Sequence, residues 1–96
     1  MQEALGILET MGYIASYYAL DAMLKAANVR FVGKEKIGGG HLIFIIAGQI
    51  GAVEIAMTAG VERVEEVGGL IFHHIIRRPA SGVETLLPPA PEKRPV

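Results

Sequence analysis

The sequence contains no cysteine. That excludes a disulfide framework, a thiolate metal site and an iron–sulfur cluster held by the chain's own thiols, and it fits a reducing compartment. An excess of charge of either sign is missing too. Nine basic residues balance ten acidic ones, for a formal net charge of −1. A dedicated nucleic-acid binder carries a basic excess or stripe, so nucleic acid is not an expected partner. Long apolar runs are absent. The longest, Leu42 to Ala47, is far short of the roughly 20 residues that cross a bilayer, so no membrane partner is expected. The start, Met1-Gln2-Glu3, is acidic and leads straight into a strand pattern, unlike a secretory signal. The expected location is cytoplasmic.

No catalytic set stands out, and the chain is not expected to be an enzyme. The serines are Ser16 and Ser81, and neither lies in a nucleophile-elbow context. The histidines are His41, His73 and His74. His73 and His74 are neighbours on a strand pattern, so they face opposite ways and cannot share one metal. Neither a metal nor a cofactor is expected.

What is present is apolar content. Hydrophobic residues make up 51% of the chain, and mean hydropathy is +0.39. A chain of 96 residues has much surface for its volume, so this content predicts apolar surface buried against partners.

Periodicity predicts the elements. Residues 4–10 alternate as a strand, with Leu5 and Ile7 on one face. Residues 13–27 follow helical spacing, with Tyr13, Tyr17, Leu20, Leu24 and Ala27 on one stripe. Residues 29–37 and 41–47 read as strands. The second of these is continuously apolar, which predicts burial on both faces. A helix over 50–67 buries Ile50, Val53, Met57, Val61 and Val64 and exposes Glu54, Thr58, Glu62 and Glu66. Gly60 inside it marks a close approach, and Gly68-Gly69 stops it. Residues 70–77 form a fourth strand, and 83–87 allow a short helical turn. The fold class is α+β: a βαββαβ sandwich with a four-stranded antiparallel sheet and two main helices on one face, in a ferredoxin-like arrangement. One domain is expected over 1–88, with a flexible proline-rich tail over 89–96.

The most informative local feature is Lys36-Ile37-Gly38-Gly39-Gly40-His41. A phosphate-binding glycine loop needs a helix N-terminus directly after it. Here Leu42-Ile43-Phe44 continue as a strand, so nucleotide binding by this loop is rejected. Two readings stay open on the residues alone: a flexible hairpin, or a loop whose backbone approaches something closely, copies of itself included.

The stretches ALGILET, DAMLKAANV, VGKEKIGGG, GAVEIAMTAG and HHIIRRPASGVETLLP, in this order and spacing, resemble the hexamer-forming, single-domain shell proteins of bacterial microcompartments (BMC-domain proteins). The resemblance spans residues 3 to 88. It implies cyclic homohexamers tiling into the shell of a protein organelle. The other partners it implies are further shell proteins, encapsulated enzymes and small polar metabolites. It implies that Lys36, Ile37, Gly38, Gly39, Gly40 and His41 line a central pore. It also implies that Lys25, Asn28 and Arg78 lie on the joint between hexamers, with Lys25 packed against its symmetry mate. Carboxysomes and catabolic compartments use similar tiles, so the cargo is left open. Departures from the family pattern fall at Ala47-Gly48-Gln49, at Ala80 and at the bulky Tyr17-Tyr18. A small-molecule-binding regulatory domain of similar fold is the alternative. An RNA-binding sandwich ranks lower, since its strands would carry an aromatic pair.

Overall fold

The structure is a computed structural model that describes residues 3–77. The elements run β1 (Ala4–Met11), α1 (Tyr13–Ala26), β2 (Arg30–Gly38), β3 (His41–Gly48), α2 (Ile50–Val67) and β4 (Leu70–Ile76). The four strands form one sheet in the order β2-β3-β1-β4, with every neighbour antiparallel. This is the expected βαββαβ sandwich. The expectations for 83–87, for the tail over 89–96 and for Arg78 lie outside the described residues.

Alternation along the central strands divides the apolar residues between two faces. Ala4, Leu8 and Ile46 face the helices. There they join Ala15, Ala19 and Met23 of α1 and Val53, Ala56, Met57 and Val64 of α2 in the main core. Leu5, Val32, Ile45 and Ala47 form a second cluster, flanked by Ile7, Ile43 and Ile76. The continuous apolar run of β3 serves both clusters, because β3 lies inside the sheet.

The buried stripe of α1 differs from the expected one. Ala15, Ser16, Ala19 and Met23 face inward, while Tyr13, Tyr17 and Leu24 are exposed; of the expected stripe only Leu20 and Ala27 pack against the core. The cause is the helix crossing. A β-carbon on Gly60 would stand 2.6 Å from Met23 Cγ and 3.6 Å from the Ala19 carbonyl oxygen. At that separation only small or flexible side chains fit between α1 and α2, so the tyrosines are turned outward. The α2 stripe matches the periodicity, with Val53, Met57 and Val64 buried and Ile50 and Val61 packed at the margin.

Helix ends are set by backbone more than by side chains. Gln49 caps α2 without a side-chain hydrogen bond. Gly68, at φ 81°, stops α2 by donating its N–H to the Val64 carbonyl. At the start of α1 the buried hydroxyls of Thr10 and Ser16 bond each other. The Ser16 hydroxyl also donates to the Gly12 carbonyl at 2.9 Å, which anchors the helix to the end of β1.

Candidate functional site

The six residues from Lys36 to His41 form one hairpin tip. Gly39 and Gly40 make the two-residue turn between β2 and β3, with φ of 62° and 82°. Positive φ at both central residues is what a type I′ turn requires, and its twist matches that of the flanking strands. Gly38 adds a third positive φ, 95°, beside a register shift between Lys36 and Gly38. The shift leaves Ile37 outside the ladder, and Ile37 is exposed.

The tip is tied to two other chain reversals. The Gly12 N–H donates to the Gly40 carbonyl at 2.8 Å, and the Met11 N–H donates to the Gly69 carbonyl at 2.7 Å. Gly12, Gly40 and Gly69 therefore share one end of the molecule. Open backbone dominates it: a β-carbon on Gly12 or Gly38 would meet nothing within 4 Å, and one on Gly39 would meet only the His41 ring, at 3.9 Å.

Two polar side chains leave the tip in different directions. His41 Nδ1 stands 2.9 Å from Glu9 Oε2, a half-buried pair that ties β3 to β1. Lys36 turns the other way, its amine 5.4 Å from the centre of the Tyr13 ring, within cation–π range. A small cavity of about 90 Å³ lies beneath the turn, lined by Tyr13, Lys36, Gly38, Gly40, His41 and Leu42. The Glu9 partner and the Tyr13 platform were missed in the sequence reading. Cross-strand register was the signal for the first, since Met11 pairs with His41 and Glu9 is its diagonal neighbour.

Lys25 and Asn28 lie at the opposite end. Lys25 is in the last turn of α1, with its amine 3.0 Å from Asp21 Oδ2, and both side chains are exposed. Asn28 is exposed in the connection from α1 to β2. β2 runs nine residues from here to Gly38, so roughly 25 Å separates the two ends. Nearby, Arg30 and Glu3 pair at 2.6 Å. The hydrogen bond from Arg30 holds the Glu3 carboxyl below its ordinary pKa, and their mutual attraction adds to this.

His73 and His74 diverge as their alternation requires. His73 lines a groove between α2 and β4, while His74 stacks on Phe72 with ring centres 6.2 Å apart. Among the described residues no group of three or more histidine, aspartate or glutamate side chains is placed to hold a metal, and no helix is long and apolar enough to cross a membrane.

Residues 4–79 match the family model described as the BMC domain. The carboxysome shell protein CsoS1C of Halothiobacillus neapolitanus is 49% identical over 90 residues, covering 93% of this chain and 92% of that protein. The bacterial microcompartment shell protein PduA of Citrobacter freundii is 48% identical over 87 residues, covering 91% of this chain and 94% of that protein. Among solved structures, a microcompartment protein from Desulfitobacterium hafniense DCB superposes with a TM-score of 0.80 at 30% identity over 88% of this chain. The present chain spans about half of that longer one, 48%.

Proposed function

The chain belongs to the BMC-domain family and is a shell protein of a bacterial microcompartment, and we propose that six copies close into a ring whose central pore is rimmed by residues 36 to 41. The observation that carries this reading is the polarity of the protomer. Its exposed glycine turn and its edge residues Lys25 and Asn28 occupy opposite ends of one strand-length. A wedge with that layout puts the turn at the axis and the edge residues on the outer rim.

At the axis the rim is mostly backbone. Gly38, Gly39 and Gly40 contribute no side chains, so amide and carbonyl dipoles set the polarity there, beside the exposed Ile37 and with Lys36 and His41 adjacent in the chain. Such an opening suits small polar metabolites. The ring's outer rim, with Lys25 and Asn28, forms the joint between rings. Lysine stems pack there while their amines stay solvated. Each joint is weak alone and repeats across a layer. Other shell proteins and the enclosed enzymes are the remaining partners, and the shell lies in the cytoplasm. The fold and the family assign the chain a structural role rather than a catalytic one.

Negative-stain electron microscopy of the purified chain tests this reading. Sixfold particles with a central stain-filled depression, tiling into layers at high concentration, are expected. Monomers or trimers that bind a nucleotide would favour the regulatory-domain alternative.

A further inference from the structure

We infer that Met11 and His41 together form a binding site for a soft metal ion, copper(I), at the glycine end of each copy. The site lies within one chain and does not depend on the ring.

Met11 and His41 are direct partners in the ladder between β1 and β3. Directly opposed residues of an antiparallel pair share a face of the sheet, with β-carbons about 5 Å apart. Metal bonds of roughly 2.0 Å to imidazole nitrogen and 2.3 Å to sulfur are within reach of two such side chains. Both side chains also approach the same turn. A β-carbon on Gly40 would stand 3.4 Å from Met11 Sδ, and one on Gly39 would stand 3.9 Å from His41 Cδ2, the ring carbon bonded to Nε2. Met11 is 44% exposed and the His41 side chain 29%, so an ion can enter.

The imidazole is already oriented for a metal. An ionised Glu9 carboxylate can only accept, so His41 Nδ1, 2.9 Å from Glu9 Oε2, carries the hydrogen. In the neutral ring this puts the lone pair on Nε2. A carboxylate on the far nitrogen is the partner that metal-binding histidines commonly have, and it fixes the ring while raising its basicity.

The charge on this face favours a cation. Glu9 and Glu35 pair with Ile43 from either side, so both lie on the face that carries His41. Lys36 pairs with Leu42 and so lies on the opposite face, over Tyr13. Thioether and imidazole together select copper(I), whereas magnesium, calcium and manganese prefer oxygen ligands. Such a site needs neither a thiolate nor a cluster of histidines and carboxylates.

Anaerobic titration of the full chain with copper(I), in competition with a chromophoric copper(I) chelator, tests the site. One ion per chain is expected, with sulfur and nitrogen both in its shell by X-ray absorption. Met11→Leu conserves volume and should lose at least tenfold in affinity, as should His41→Gln. His73→Gln combined with His74→Gln should bind as wild type does. Glu9 acts as a positioning residue, so Glu9→Gln, which keeps an acceptor oxygen, should bind more tightly than Glu9→Leu. Circular dichroism checks that each variant is folded. Wild-type affinity in folded Met11→Leu, a metal shell without sulfur, or a wild-type chain that binds no copper(I) would overturn the proposal. The absorption spectrum of the wild-type complex needs no variant, so it decides the matter even where a substitution unfolds the chain.

Discussion

Met23 lies across Gly60: a β-carbon on that glycine would stand 2.6 Å from the methionine Cγ and 2.8 Å from its sulfur. The contact sets how closely α1 and α2 approach, and through it which side of α1 is buried. It predicts that Gly60→Ala is destabilising despite alanine's better helix propensity. The propensity gain is about 1 kcal/mol, while overfilling a packed core costs roughly 1–3 kcal/mol. Chemical denaturation should show a net loss of about 1 kcal/mol. In a Met23→Ala background the same change should be neutral or stabilising, because the obstacle is gone.

Gly39 behaves differently. Its φ of 62° lies in the left-handed region, yet its surroundings are open. Asparagine tolerates that backbone better than other side chains. Gly39→Asn should therefore keep the unfolding free energy within about 1 kcal/mol of wild type and keep the ring intact, while narrowing the pore. Shells built from it should take up substrate more slowly, read as consumption by enclosed enzyme. Unchanged uptake would remove Gly39 from the rim.

Lys25 contributes little to the fold. Its partner Asp21 is four residues away and both are exposed, so the pair adds only about 0.3–0.5 kcal/mol. Lys25→Ala should leave the melting temperature and the ring mass unchanged and abolish extended layers under electron microscopy. Layers of normal extent would put the joint elsewhere.

The Glu3–Arg30 pair predicts a small acid-side effect. The carboxyl's pKa is lowered in the folded chain, mainly by the Arg30 hydrogen bond. The stability it contributes is therefore complete above the ordinary carboxylate pKa of 4.5 and is lost as pH falls through the lowered value. Both side chains are substantially exposed, which limits the effect to at most about 1 kcal/mol. Glu3→Gln should melt slightly below wild type at neutral pH, and the gap should close as pH falls below the ordinary carboxylate range and through the lowered value. A gap that is constant with pH would mean the pair's charge is irrelevant.

Much of this fold was legible in the residues because its patterns are strong. The uninterrupted apolar run of β3 marks a strand covered on both faces, and Gly68-Gly69 marks the end of α2. The loop's position between two strands excluded a phosphate site. The α1 face was not legible. Tyr13, Tyr17 and Leu24 count as apolar in any periodicity, yet the buried face belongs to Ala15, Ser16, Ala19 and Met23. Choosing between them needs the distance to α2, which Gly60 sets and which no local pattern encodes. The register shifts in β2 and the Glu9–His41 pair were hidden for a related reason, because pairing between strands fixes them. Lys25 and Asn28 carry no local sign of a joint. Their place at the far end from the glycine turn emerges only once β2 separates the two.

Mass in solution bears most directly on whether this chain builds a pore. Native mass spectrometry or light scattering of the 96-residue protein should give six times the 10.3 kDa protomer, stable on dilution to low micromolar concentration. A stable species of 10.3 kDa under the same conditions would contradict the ring, and with it the assignment of residues 36 to 41 to a pore rim.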